Sequence, residues 1–167
     1  MGLAVYMPRL QEEVWALVRR EGVVARREHP ALRGAIDWLV RDGQLRGVLP
    51  GVYAPADCGD DFRLRVAAVS RWAPAAVLTG AAAARLTFWP SLTVDLVEVA
   101  TSRRGCYPGF RLTDRSIPAE LVLHRNGLRV AAPALAAIDL AETTTDALDQ
   151  VLRPGPRRST ASGGPSS

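Results

Sequence analysis

The chain has 167 residues, 48% of them apolar, enough to bury one sizeable core or two small ones, so a wholly disordered chain is excluded. All 21 basic residues are arginine and lysine is missing altogether, which excludes P-loop phosphate chemistry, Schiff-base catalysis and nucleases that set a lysine beside metal carboxylates. A net charge of +4 permits a nucleic-acid partner without demanding one.

The first third predicts two helices and a hairpin. Leu10, Val14, Leu17 and Val18 recur at helical spacing, with Glu12 and Glu13 expected in the first turn, Arg19 and Arg20 in the last, and Gly22 as the stop. After the apolar link Val23 and Val24, the stretch ARREH has room for one helical turn at most. Pro30 then stands at the expected N1 position of a helix over Ala31 to Asp42, buried through Leu32, Ile36, Leu39 and Val40. Its other side carries Arg33, Asp37 and Arg41 at i, i+4 and i+8. QLRGVL and GVYA read as two short strands joined at Pro50-Gly51.

Residues 57–152 predict a small mixed sheet with packed helices. Asp60 or Asp61 caps a helix carrying Phe62, Val66, Val69 and Ala73, and Thr79 caps a second one built on Ala81 to Ala84. TVDLVEVA, GFRLTD, AELVLHR and LRVAA read as strands, and Asn126-Gly127 between the last two is a strong hairpin turn signal. Arg103 and Arg104 fall in the TSRRGCYPGF loop, either near a phosphate or at a solvated hairpin tip. Pro133 opens a helix to about Glu142, and Thr145 caps a last one to Leu152. Residues 153–167 hold Pro, Gly and Ser in bulk and no large apolar side chain, so a disordered tail is expected. The fold class expected is α+β: an N-terminal winged helix-turn-helix over residues 1–56, then a small mixed α/β domain over residues 57–152.

Charge is unevenly spread: residues 1–56 carry 8 arginines against 6 acids, residues 57–152 carry 10 against 11, and the last stretch 3 against none. In a winged helix, the second long helix enters the major groove and the hairpin lies along the backbone, where Arg46 would meet a phosphate. The alternative is a small α+β domain whose Arg33, Asp37 and Arg41 form a solvated ion-pair ladder.

The run EGVVARRE, the helix ending in LVRDGQL and above all RGVLPGVYAP resemble the N-terminal winged-helix domain of the AbiEi antitoxin family, the antitoxin half of type IV toxin-antitoxin systems. The resemblance continues through GAAAARLTFWP and NGLRVAAPALAAIDLAE and spans about residues 9–152. It implies a DNA-binding transcriptional regulator whose C-terminal part counters a nucleotidyltransferase toxin. It also implies a member without the endonuclease-like domain of longer relatives. The positions matching the family's DNA-binding unit are Arg26 and Arg27 before the recognition helix, Arg33 and Arg41 on it, and Arg46 in the wing.

No catalytic constellation emerges, so an enzyme is not expected. His29 and His124 have no second ligand at metal-binding spacing, the two cysteines form no CxxC, and GxSxG is absent, so no metal or cofactor is predicted. Asp95 and Glu98 fall on opposite sides of a strand, and Asp139 with Glu142 reads as a solvated face. Uncharged runs such as Trp72 to Ala84 are too short for the roughly 20 apolar residues of a membrane span. MGLAVYM has no secretory order, Tyr6 breaks a myristoylation pattern, and Cys58 and Cys106 read as free thiols, so the expected compartment is the cytoplasm. The expected partner is double-stranded DNA, with a cognate nucleotidyltransferase toxin as a second one. The rival expectation is a protein-interaction module that binds a toxin or a second copy and has no DNA role.

Overall fold

The apolar stripe at Leu10, Val14, Leu17 and Val18 makes α1, Leu3–Glu21, with Val14 and Val18 fully buried and Leu10 and Leu17 packed beside them. Gly22 ends the helix in the left-handed region, at φ +80°, and its N–H donates to the Val18 carbonyl at 2.8 Å. The helix starts earlier than its charge pattern suggests, so Glu12 and Glu13 lie mid-helix rather than in the first turn. Pro8 lies inside the helix, where it removes the amide that would donate to the Ala4 carbonyl. The computed structural model describes residues 3–141 and Leu152; the expected helix from Thr145, except Leu152 itself, and the 153–167 tail lie outside them.

Next come β1, Val24–Ala25, and two short 3-10 turns, Arg26–Glu28 and Pro30–Leu32, before α2, Arg33–Arg41. The single turn expected of ARREH is present, and Pro30 opens a 3-10 turn that leads into the helix rather than the helix itself. The strands β2, Leu45–Leu49, and β3, Val52–Pro55, pair antiparallel across Pro50-Gly51, and β1 joins them in the order β1-β3-β2. Strand alternation gives this small sheet two apolar faces. Val24 and Leu45 pack with Leu32, Ala35, Ile36 and Leu39 beneath α1 and α2, whereas Ala25, Val52 and Ala54 belong to the core of the rest of the chain.

What covers that second face is α3, Phe62–Trp72, capped by Asp61, whose side chain accepts the Leu64 N–H at 2.8 Å. A five-stranded mixed sheet follows: β4, Val77–Thr79; β5, Val97–Ala100; β6, Phe110–Thr113; β7, Val122–Arg125; and β8, Leu128–Ala131, in the order β6-β5-β4-β8-β7. The β7–β8 hairpin turns on Asn126 and Gly127, both at positive φ, as a type I′ turn requires. The helices α4, Gly80–Thr87, and α5, Pro133–Ala141, pack on each other and on β4. Runs of alanine allow that close approach, since Ala82, Ala83, Ala84, Ala136 and Ala137 are all buried. The class is α+β. Among the described residues no helix is long and apolar enough to cross a membrane.

Two features were not legible locally. The central strand β4 spans three residues inside a longer apolar run and shows no alternation of its own. TVDLVEVA and GFRLTD do not form a hairpin: β5 and β6 run parallel, so residues 101–109 must travel back along the sheet, and Arg103 is not at a solvated hairpin tip. Thr79 sits at the N-cap of α4 without the side-chain hydrogen bond expected of it. Gly80 beside it is at φ +56°, where a Cβ would also run into the Glu98 carboxylate. Gly80→Ala is therefore expected to cost about 1–2 kcal/mol. Urea denaturation checks this, and a variant as stable as the parent would contradict the strained conformation.

Candidate nucleic-acid interface

With its inner face locked under the small sheet, α2 turns Arg33, Trp38 and Arg41 outward, all exposed. Asp37 lies on the same side but does not ladder with the helix arginines. Its two carboxylate oxygens instead accept Nε and Nη2 of Arg26, both at 2.8 Å, in a bidentate fork. The turn Arg26–Glu28 delivers that guanidinium, a contact 11 residues away in sequence that helical spacing does not reveal. The side chains of Arg33 and Arg41 have no hydrogen bond or ion pair among the described residues, and both act on Asp37 only through space.

The hydrogen bonds from Arg26 hold the Asp37 carboxyl below the usual aspartate range, with desolvation working against them and the charges of Arg26, Arg41 and Arg33 adding to them. A depressed carboxyl pKa adds stability above its unfolded value, and that contribution disappears as pH falls through the folded value. The pair is thus intact at neutral pH and opens only in acid. Asp37→Ala removes a negative charge from the outer face and releases Arg26, so it is expected to tighten nonspecific DNA binding at low salt. Anisotropy titration with a random-sequence duplex checks this; weaker binding by a folded variant would contradict it.

Beside the start of α2 lies a cleft of about 170 Å³. Arg26, Arg27 and Arg33 line it with the Pro50-Gly51 turn, and Arg71 from α3 and Arg103 from the 101–109 loop close it from the other half of the chain. The structure thus brings three of the five arginines singled out in the sequence to one place. It leaves the other two, Arg41 and Arg46, outside the cleft. Arg46 shares a sheet face with Ala54, towards α3, and its Nη2 donates to the Cys58 carbonyl at 3.2 Å. Arg71 had no local signal: its partners are Glu21 at 2.8 Å and Glu28 at 3.2 Å, both across the boundary between the two halves. Its carbonyl also accepts Nη2 of Arg27, at 2.6 Å. The guanidinium of Arg103 stacks 5.1 Å from the centre of the Trp72 ring.

Elsewhere several carboxylates are taken up by arginines. Asp139 receives both Nη atoms of Arg115 at 2.8 Å, and Glu98 receives Arg111 at 3.4 Å. Among the described residues no three His, Cys, Asp or Glu side chains group to hold a metal, and Cys58 and Cys106 are free thiols, half-buried and exposed respectively. Compared with known proteins, the chain matches no family model and no curated protein.

Proposed function

We propose that this protein binds double-stranded DNA through α2 and the basic turn before it, as a regulator of the winged helix-turn-helix type. The observation that carries the reading is the outer face of α2: Arg33 and Arg41 stand free there while Arg26 neutralises the one acid between them. Lone guanidinium groups about two helical turns apart suit a groove edge, where arginine reads guanine bidentately and phosphates provide most of the affinity. The order of parts supports the same reading, with a three-stranded β1-β3-β2 sheet behind the helix. The resemblance to the AbiEi antitoxins extends it to a nucleotidyltransferase toxin as second partner. A random-sequence duplex titrated at several salt concentrations tests the proposal: affinity must fall steeply as salt rises, and salt-independent or undetectable binding overturns it.

One observation favours the interaction-module reading for part of the unit. The hairpin is packed against α3 on the face away from α2, and Arg46 is held by the Cys58 carbonyl, so the hairpin has the character of a packing scaffold. DNA contact is accordingly assigned to α2, Arg26 and Arg27, without Arg46.

A further inference from the structure

We propose that the five-arginine cleft is a binding site for a small phosphorylated anion of the diphosphate class. Five arginines line a space of about 170 Å³, and no carboxylate lines it. Such an assembly of like charges is unfavourable unless something answers it, and the chain answers only part of it. Asp37 compensates Arg26, and Glu21 with Glu28 compensates Arg71, each from outside the cleft wall. Arg27, Arg33 and Arg103 have no ion pair among the described residues; Arg27 is anchored by a carbonyl and Arg103 by the Trp72 ring. Three planar forks without an ion pair, two of them held in place, match phosphoryl oxygens, which guanidinium groups bind through paired hydrogen bonds.

Size and charge narrow the ligand. Pockets that enclose a drug-sized molecule start at about 300 Å³, so this cleft takes phosphoryl groups and leaves any nucleoside or sugar outside. A single phosphodiester of a DNA backbone brings one negative charge, too little for three guanidinium groups without an ion pair, whereas a diphosphate brings two or three. A free or terminal diphosphate is therefore the ligand assigned. The lining comes from both halves of the chain, with Arg26, Arg27 and Arg33 from the first and Arg71 and Arg103 from the second, so the bound anion would also tie the two together. Arg33 belongs to the cleft and to the outer face of α2 alike. If the DNA reading holds, anion and duplex compete for it; the binding itself does not depend on that reading.

The test is calorimetric titration of the full chain with inorganic pyrophosphate, against sodium sulfate at equal ionic strength. Wild-type protein should bind pyrophosphate more tightly than sulfate. Arg33→Gln and Arg103→Gln should each weaken it by about tenfold or more, as loss of a charge-assisted contact predicts. Arg111→Gln, on β6 and outside the cleft, should leave it unchanged. Urea denaturation of each variant confirms that it is folded. Pyrophosphate binding no tighter than sulfate, or insensitive to Arg103→Gln, overturns the inference. A 5′-hydroxyl duplex supplies the second arm: if Arg103→Gln weakens duplex binding as much as pyrophosphate binding, the cleft is a backbone contact and the small-ligand assignment falls. Arg41→Ala keeps the two proposals apart, because it should weaken the duplex and spare pyrophosphate.

Discussion

Trp72→Ala is expected to destabilise the protein by about 3–5 kcal/mol, the usual result of emptying a large buried aromatic site. Trp72 is 3% exposed at the end of α3, its ring meets Tyr107 edge-on at 5.6 Å and 77°, and Arg103 lies over its face. It therefore supports both the main core and the 101–109 loop that runs back between two parallel strands. Trp38→Ala is the matched comparison. Trp38 is 39% exposed on the outer face of α2, so its removal should change stability by only about 0.5 kcal/mol. Urea denaturation with both variants, read at constant m-value, decides the matter. A Trp72→Ala loss of less than about 1 kcal/mol would mean that the 101–109 loop and α3 do not share a packed core. The same variant should lower the affinity of the cleft for pyrophosphate, because Arg103 loses the ring that orients it.

The second large effect concerns DNA. Arg33→Ala and Arg41→Ala should each cost about 1–3 kcal/mol on a preferred site and relax discrimination at one base pair, if α2 lies in the major groove. Arg46→Ala should behave differently. A wing arginine on a phosphate would lower the salt slope by roughly one when removed, but the Arg46 guanidinium faces the Cys58 carbonyl. The expected result is an unchanged salt slope with a stability loss of about 1 kcal/mol, the worth of one hydrogen bond. Anisotropy titrations at three salt concentrations separate these outcomes. Normal DNA affinity in folded Arg33→Ala and Arg41→Ala proteins would remove α2 from the interface and leave the interaction-module reading in its place.

Much of this was legible in the chain because the relevant physics is local. The i, i+4, i+7 stripe of Leu10, Val14 and Leu17, the stop at Gly22, the Asp61 cap and the Asn126-Gly127 turn each act through neighbours within a turn or two. A one-dimensional pattern therefore specifies them, and the α+β class with its helices and most of its strands follows. Local charge spacing served less well on α2. Arg33, Asp37 and Arg41 stand at ladder intervals, yet Asp37 takes Arg26, because a guanidinium presented by a preceding turn reaches both carboxylate oxygens at once.

Tertiary structure alone decided the rest. The three-residue strand β4 exists because β5 and β8 flank it, the β5–β6 pair is parallel because residues 101–109 fold back over Trp72, and the second face of the hairpin is covered because α3 needs an apolar partner. The cleft is of the same kind. Arg33, Arg71 and Arg103 are separated by dozens of residues and share no motif, since what gathers them is the packing of two sheets and a helix rather than any spacing along the chain. Composition fixed that every cation would be a planar arginine fork; long-range packing determined which of those forks meet.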